Sequence, residues 1–442
     1  MSDAGRISPE RRDEILDALR RGTVPAQSLD MLAVGLEGYE DALDYELSAA
    51  ESGRGVFKAV RGEYGAGKTF FARWLQERAI ARGFAATEVQ ISEAETPLHR
   101  LETVYRRLVE RLSVSGRRHG ALRLVIDGWF FTLEEDVLTD EPDLSDEAAL
   151  LEKTSALMER KLEEVNRSAP AFAACLRGYR RALAQGEQEI ADGLLAWLGG
   201  QPNIAARTKR FAGVKGEIDH FGALSFLQGL LIVLRDSGHP GLLWVMDEVE
   251  TLQRVRGDVR DKGLNALRQL MDEVDAGRFP GLYLVMTGTP SFFDGPQGIQ
   301  RLAPLAQRLH VDFQTDSRFD NPRAPQIRLQ NFDFQRLLTV GRKARDLFAA
   351  GSPQADRIRA VADDDYLEVL AQAVTGNLGG KVGIAPRLFL KKLVADILDR
   401  IDQFPDFDPR EHYALTVDRQ ELSPQERAAA AAESVDDISL KL

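Results

Sequence analysis

VFKAVRGEYGAGKTFFARWL, residues 56–75, is the stretch that decides the fold of this 442-residue chain. An apolar, β-rich run from Val56 to Arg61 predicts a buried strand, a glycine-rich loop follows it, and helical spacing begins at about Lys68. A second strand is predicted at about residues 86–92. Strand, loop, helix and strand in this order form a βαβ unit, so we expect an α/β fold built on a parallel sheet flanked by helices.

The loop GEYGAGKT, residues 62–69, has the spacing G-x-x-x-x-G-K-[ST] of a phosphate-binding loop. Its glycines allow backbone N–H groups to turn towards a β-phosphate, and the helix that follows adds the positive end of its dipole. Lys68 is predicted to reach the β- and γ-phosphate oxygens, and the Thr69 hydroxyl to bind Mg²⁺. The alternative is a glycine-rich turn that is followed by Lys-Thr by coincidence. The residues expected to contact the nucleotide are Gly62, Glu63, Tyr64, Gly65, Ala66, Gly67, Lys68, Thr69 and Phe70.

A second, acidic motif separates the classes of nucleotide-binding protein. In LLWVMDE, residues 242–248, an apolar run ends in Asp247 and Glu248, at the carboxyl edge of a predicted strand, where open α/β sheets bind ligands. We predict that Asp247 holds Mg²⁺ and that Glu248 activates the attacking water. A buried strand that ends in a solvated acidic turn is the alternative.

Two other patterns indicate which apolar run forms the strand that carries the acidic motif and which nucleotide is bound. The run LRLVID, residues 122–127, also ends in an aspartate, but it lacks the following glutamate and continues at helical spacing, which favours a core helix. A stretch N/T-K-x-D that would recognise guanine is not found in the sequence. The predicted nucleotide is therefore ATP.

Three further side chains are candidates for contacts around the γ-phosphate. Thr287 ends a late predicted strand, where its hydroxyl can meet the γ-phosphate or the attacking water, and a plain turn is the alternative. Arg308 is a candidate finger on the nucleotide of a neighbouring subunit, with Arg301 as the other choice. Arg387 lies at the start of a predicted helix, from which it either reaches back over the phosphates or packs on its own helix.

The composition is that of a soluble globular protein, with 44% hydrophobic and 29% charged residues. The formal net charge of −12 argues against a chain that coats nucleic acid through its overall field, so any DNA contact needs a local basic cluster, such as 177–181, 207–211 or 391–392.

Cys175 is the single cysteine, which excludes an internal disulfide. Because no signal-peptide core and no stretch of about 20 uncharged apolar residues is present, we expect a cytoplasmic protein without a membrane span.

The pattern along the chain predicts several segments. Helical spacing from residue 8 to residue 21, with Ser8 as its cap, opens the chain, and a region at about 97–235 is rich in Leu, Ala, Glu and Arg at helical spacing. Further strands are predicted at 242–246, 282–286 and 326–329. The predicted division is an N-terminal helical segment at 1–50, a P-loop core with a helical insertion at 51–330, a C-terminal helical lid at 331–405 and a tail at 406–442.

Together these motifs resemble the AAA+ superfamily, in the branch of origin-recognition and initiator-loader ATPases. The shared features are the phosphate loop, the D-E strand end, the polar strand end, the arginine segment and a helical lid that carries APR. The resemblance covers roughly residues 50–400, and the helical insertion is a departure from it. More narrowly, LRRGTVPAQSLDMLAVGLE at 19–37 and ETPLHRLETVYRRLVERL at 95–112 are similar to the ATP-binding proteins of bacterial BREX phage-defence systems, the BrxD-like group.

The resemblance implies an ATPase, with ATP and Mg²⁺ as cofactors, that works beside DNA-modifying and other BREX-type defence proteins. If Arg308 is a finger, we expect a nucleotide-dependent homo-oligomer, because only a neighbour completes the site. The local basic clusters are candidates for DNA contacts, with solvated faces as the alternative. Two alternatives remain open at this point. One is a nucleotide-gated scaffold with negligible turnover, and the other is a DNA loader or transposition-type ATPase outside defence. The nucleotide-site residues that the resemblance carries over are Gly62, Gly65, Gly67, Lys68, Thr69, Asp247 and Glu248.

Overall fold

The computed structural model describes residues 7–144, 146–378, 383, 385–418, 420–422, 426 and 427. At its centre lies a sheet of parallel strands in the order β2-β3-β4-β1-β5, which confirms the predicted α/β class. Each predicted strand is present close to its expected position. The strands are β1 Val56–Arg61, β2 Ala85–Gln90, β3 Leu242–Asp247, β4 Leu282–Gly288 and β5 Gln326–Arg328.

Helices α1 to α3 come from the N-terminal part of the chain. Helix α1, Pro9–Arg21, begins after Ser8, whose hydroxyl accepts a hydrogen bond from the Arg11 backbone N–H at 3.4 Å, so the predicted cap is confirmed. Helices α2, Glu40–Glu51, and α3, Lys68–Ala81, pack on one face of the sheet. The glycine loop leads directly into α3, as the pattern predicts.

The chain between β2 and β3 forms the predicted helical insertion. Its helix α5 contains residues 122–127, so the interpretation of that apolar run as a core helix is confirmed. Among the described helices, none combines the length and the apolar composition that crossing a bilayer requires. The helices of the insertion are α4 Leu101–Glu110, α5 Leu122–Asp140, α6 Glu147–Ser168, α7 Pro170–Ala184, α8 Gln188–Leu198, α9 Ala206–Ala212 and α10 His220–Asp236.

The remaining helices follow β3, β4 and β5. Helix α11 and two short helices connect the late strands, and the helices after β5 form the predicted C-terminal helical part. A π-helical segment, Lys392–Leu398, joins two of these helices without a break. Of the predicted tail, residues 419, 423–425 and 428–442 lie outside the described residues. The helices are α11 Gly257–Asp275, α12 Pro290–Asp294, α13 Ala303–Arg308, α14 Phe334–Ala349, α15 Ala355–Val361, α16 Asp364–Gly376, α17 Pro386–Lys391, α18 Asp399–Gln403 and α19 Pro409–His412.

The sheet is covered on both faces, which explains why β3 and β4 are buried along their whole length. Successive side chains of a strand point to opposite faces. Trp244 and Leu284 therefore join the core that contains the insertion, while Val245 and Tyr283 join the core formed with α2 and α3. Neither face is left for solvent, so the free positions for a ligand are the edges where strands end.

A third core holds the C-terminal helices together and includes α1. Ile15, Leu16 and Leu19 of α1 lie in the same buried cluster as Leu337 of α14 and Phe389 of α17. Arg20 of the same helix donates to both carboxylate oxygens of Asp399, each at 2.8 Å. Helix α1 therefore lies on the C-terminal helices, and the chain crosses from there to the sheet to form α2.

A buried charged network anchors the strand that carries the phosphate loop. Lys58 of β1 is 1% exposed, and its amine lies 2.5 Å from a Glu46 carboxylate oxygen and 2.6 Å from the Ala324 carbonyl oxygen. The Tyr283 hydroxyl donates to the other Glu46 oxygen at 2.5 Å. Burial raises the pKa of Glu46, and the positive charge of Lys58 opposes that rise. The network connects α2, β1, β4 and the segment before β5.

Replacing Lys58 with Met should destabilise the protein strongly, because Glu46 would remain buried without its cation. Removal of one partner of a buried pair costs roughly 3–5 kcal/mol, so the melting temperature in a thermal-denaturation experiment should fall by several degrees. The double variant Lys58→Met/Glu46→Leu should recover part of the loss.

The matched control is Arg167→Met, which removes one partner of an ion pair whose side chains are 75% and 67% exposed. An exposed pair contributes little, so this melting temperature should stay near the parental value. A Lys58→Met protein that melts like the control would contradict the structural role of the network.

Candidate functional site

The site lies where the carboxyl ends of three neighbouring strands meet. β1 pairs with β4 so that Val60 lies opposite Thr287, and β3 pairs with β4 so that Met246 lies opposite Met286. Asp247, the residue after Met246, therefore comes beside Thr287 and the start of the glycine loop. The parallel register places at one edge three motifs that are far apart in the sequence.

The glycine loop has the backbone that its sequence requires. Gly65 and Gly67 have φ values of 83° and 86°, in the left-handed region that residues with a Cβ rarely adopt. The Lys68 amine donates to the carbonyl oxygens of Gly62 at 2.8 Å and of Glu63 at 3.2 Å. Because the amine contacts carbonyl groups of its own loop, any contact with a phosphate requires that it leave these carbonyl oxygens.

Asp247 accepts hydrogen bonds from three directions. The Thr69 hydroxyl donates to one carboxylate oxygen at 3.1 Å, and the Thr287 hydroxyl and the Glu248 backbone N–H, the latter at 3.1 Å, donate to the other. Thr287 is fully buried, so its hydroxyl is directed at Asp247 and is not open to solvent. The predicted metal residues Thr69 and Asp247 are thus adjacent, with the oxygen ligands that Mg²⁺ prefers.

Glu248 is exposed and lies in an unusual backbone conformation. Its φ is 59°, in the left-handed region, which is costly for a residue with a side chain and is often found at functional sites. Its carboxylate accepts a hydrogen bond from the Gln90 side-chain amide at 2.9 Å. Gln90 ends β2, directly opposite Asp247 in the register of β2 and β3. Sequence analysis missed Gln90, because only the pairing of these strands brings it to the acidic motif.

Glu250 is a further carboxylate that the sequence analysis did not select. It lies in a short 3₁₀ turn, Val249–Gln253, and is buried at the edge of the site. Burial raises the pKa of Glu250, while the charge of Lys68 lowers it. Conversely, burial lowers the pKa of Lys68, and the charges of Glu250 and Asp247 raise it. In the sequence, the feature that could have indicated Glu250 is that it is the third acidic residue of DEVE, residues 247–250. The short turn brings it back to the cavity that Asp247 also lines.

A cavity of about 350 Å³ opens beside the glycine loop. Its lining combines polar groups of the loop and the acidic motif with apolar side chains, which we call the apolar walls, and with a few further polar side chains such as Gln330 and Arg336. This volume lies within the range of small-ligand sites in proteins. The predicted loop residues from Tyr64 to Phe70, with Asp247, Glu248 and Arg387, line this cavity. The apolar walls consist mainly of Val24, Leu32, Val34, Phe332, Val340 and Leu390.

Side chains of α3 hold the N-terminal segment over this cavity. Glu77 accepts hydrogen bonds from the backbone N–H groups of Ser28 at 2.6 Å and Leu29 at 2.8 Å. The Trp74 indole N–H donates to the Asp30 carboxylate at 2.6 Å. The helix that begins at the phosphate loop therefore also positions the apolar wall, which sequence motifs alone did not reveal.

The predicted arginines are not directed at the phosphate loop. Arg387 borders the cavity, but its guanidinium donates to the Glu426 carboxylate, through Nε at 3.0 Å and through Nη2, and to the Glu421 backbone oxygen at 2.6 Å. Arg308 pairs with Asp272 of α11 at 2.5 Å. Any contact of either arginine with a nucleotide requires that these partners be released.

The basic clusters considered for DNA are largely engaged within the chain. Arg177 pairs with Glu159 at 2.9 Å and Arg207 with Glu187 at 3.7 Å. Glu421 accepts from Lys391 and lies 2.8 Å from the Lys392 amine. These clusters therefore present less free positive charge than their sequences imply, and DNA binding stays a prediction.

The similarity of this chain to known proteins extends beyond the glycine loop. No curated protein matches the chain. A family described as BREX system ATP-binding protein BrxC/D matches residues 7–417, a range that includes α1, the sheet, the helical insertion and the C-terminal helices. Since the match covers most of the chain and agrees with the more specific sequence resemblance, the protein belongs to the BREX system ATP-binding family BrxC/D.

Proposed function

We propose that this protein binds MgATP at the cavity beside the glycine loop and hydrolyses it, and that hydrolysis drives a remodelling or loading step in a BREX defence complex. The single observation that carries the proposal is that Lys68, Thr69, Asp247 and Glu248 line one cavity together with apolar side chains. The family to which the chain belongs supports ATP as the ligand.

Each polar residue has a distinct task in this proposal. Lys68 leaves the loop carbonyls and donates to the β- and γ-phosphate oxygens, which compensates the charge that develops there. Mg²⁺, when bound, would supply positive charge that offsets the charge of the phosphates. Thr69 and Asp247 would hold it, since their oxygens already lie within hydrogen-bond distance of each other. Glu248 accepts the proton of the attacking water as a general base.

The apolar walls are proposed to take the adenine base. Burying an aromatic base against aliphatic side chains is favoured by the hydrophobic effect and needs no ion pair. Val24 and Leu32 come from the N-terminal segment, and Val340 and Leu390 from the C-terminal helices. A bound nucleotide would therefore contact the N-terminal segment and the C-terminal helices at once. Nucleotide binding would then be coupled to the positions of these two parts.

A nucleotide-gated scaffold is the second candidate, and the Gln90 contact favours it. The amide donates to the Glu248 carboxylate, so Glu248 must leave Gln90 before this oxygen can accept the proton of a water. In that arrangement ATP is bound and turned over slowly, until a partner or DNA breaks the contact. A loader or transposition-type ATPase outside defence would use the same site.

The assembly is proposed to be a nucleotide-dependent homo-oligomer that works with other BREX proteins. Arg308 can then act as a finger on a neighbour's ATP, with Arg301 as the other choice, once it leaves Asp272. DNA contacts and the cytoplasmic location likewise belong to this proposal.

Replacing Glu248 with Gln should separate binding from hydrolysis. The amide keeps the size of the side chain but removes the base, so the ATPase rate should fall by roughly 10²–10⁴-fold. ATP affinity measured by calorimetry should stay near the parental value, whereas Lys68→Ala should abolish detectable binding. The control Glu163→Gln changes a carboxylate that is 67% exposed on α6 and should affect neither quantity.

Parental turnover by Glu248→Gln would refute this residue as the base. Negligible turnover in the parent, with DNA and partner proteins supplied, would favour the scaffold. Parental ATP affinity in a folded Lys68→Ala protein would refute the phosphate-loop assignment itself.

Thr287 should act by positioning Asp247. Thr287→Val removes the hydroxyl that donates to Asp247 but keeps the shape, so ATP binding should require more Mg²⁺, on the order of ten-fold for a lost hydrogen bond to a charged group. Thr287→Ser retains the donor and should restore the parental requirement. The measurement is ATP affinity as a function of Mg²⁺ concentration, and identical curves for Val and Ser would contradict the role.

Arg387 should contribute to ATP binding only after Glu426 releases it. Glu426→Gln weakens their ion pair and should raise ATP affinity several-fold, and the double variant with Arg387→Ala should lose that gain. Glu163→Gln changes an exposed carboxylate of α6 whose ion pair is with Arg167, so it serves as the control. If Arg387 only packs on its own helix, ATP affinity will not respond to Glu426→Gln.

A further inference from the structure

Glu250 is buried at the nucleotide site, yet one of its carboxylate oxygens has no hydrogen-bond partner among the described residues. The residue is 4% exposed, and the atom concerned is Oε2. It borders the same cavity as Lys68 and Thr69. A carboxylate oxygen that is buried without a donor carries a desolvation penalty, and such groups in native proteins call for a specific explanation.

The neighbouring acidic residues do not share this state. Asp247 accepts hydrogen bonds from Thr69, Thr287 and the Glu248 backbone. Glu248 is exposed and accepts from Gln90. Among the carboxylates of this motif, Glu250 is therefore the one with a buried oxygen that accepts no hydrogen bond from the described residues. We infer that the donor for this oxygen arrives with the ligand.

The chemistry of the proposed ligand narrows the choice of donor. Ionised phosphate oxygens only accept hydrogen bonds, so a triphosphate by itself offers nothing to Glu250 and is repelled by its charge. Water bound to Mg²⁺ is a strong donor, and Mg²⁺ usually retains several waters when it binds phosphates in proteins. A carboxylate just outside the metal ligands suits such a water.

We propose that Glu250 is a positioning residue that makes nucleotide binding depend on Mg²⁺: its free oxygen accepts a hydrogen bond from metal-bound water, and its charge disfavours the metal-free triphosphate. The inference rests on the proposed MgATP site. The same charge lies near enough to Lys68 to oppose the effect of burial on the lysine pKa. Glu250 thus acts on Lys68, the cation proposed to bind the phosphates, and on the water molecules bound to Mg²⁺. It does not touch the reacting atoms.

The test is Glu250→Gln, which keeps the size of the side chain and removes its charge. ATP affinity is measured by calorimetry twice, once in EDTA and once in excess Mg²⁺. We expect affinity in EDTA to rise several-fold and affinity in Mg²⁺ to fall several-fold, so that the ratio of the two changes by on the order of ten-fold or more. Glu163→Gln, with its exposed carboxylate, is the control and should leave the ratio unchanged.

Glu250→Asp is a second variant for the case in which the amide prevents folding. It keeps the negative charge, but its shorter side chain moves the carboxylate oxygen away from the metal-bound water. ATP affinity in EDTA should therefore stay low, and the increase in ATP affinity on adding Mg²⁺ should become smaller. Equal changes in both buffers, or no change in either, for whichever variant folds would overturn the role of Glu250. A parent protein that fails to bind ATP in both buffers would instead overturn the proposed function.

Discussion

The site depends on one carboxylate, Asp247, and on the hydrogen bonds that converge on it. Its donors come from the first turn of α3, from the end of β4 and from the backbone that follows β3. Each strand could end in a polar residue on its own, but only the parallel register of β1, β3 and β4 makes those ends meet. A shift of one residue in β3 or β4 would turn the Asp247 or Thr287 side chain to the opposite face of the sheet.

Burial is the second constraint, because charges at this edge are held in surroundings with little water. Lys68 and Glu250 experience opposite effects of desolvation on their pKa values, and each offsets part of the effect on the other. Such a site binds charged ligands strongly, since there is little water to screen the interaction. The Lys68 amine lies on loop carbonyls and Glu250 Oε2 has no donor among the described residues, so both groups have capacity for a ligand that brings phosphate and metal together.

The apolar half of the cavity connects the nucleotide site to the rest of the molecule. The N-terminal segment is held by Trp74 and Glu77 of α3, and α1 before it is packed into the core of the C-terminal helices. Arg387 lies on the same side, engaged by Glu426 near the end of the described chain. A ligand in this cavity touches elements from both ends of the sequence, so it can influence how they are arranged.

The sequence by itself determined the local elements and the identity of the motifs. The strands, the helix after the glycine loop, the cap at Ser8 and the core helix at 122–127 all follow from apolar periodicity and from residues with strong backbone preferences, which act within a few neighbours. The loop and the D-E motif were recognised from their residue types and spacing, and the stretches that relate the chain to BREX proteins from their similarity to that family. Their roles in catalysis remain predictions.

Only the tertiary structure decided which distant side chains meet. Gln90 reaches Glu248 because β2 pairs with β3, and the buried Thr287 hydroxyl donates to Asp247 because β3 pairs with β4. The ion pairs of Arg308 and Arg387, and the free oxygen of Glu250, likewise depend on packing between segments that are remote in the chain. Periodicity reports which face of an element is buried, but it carries no information about the partner that buries it, because that partner is chosen by the complete fold.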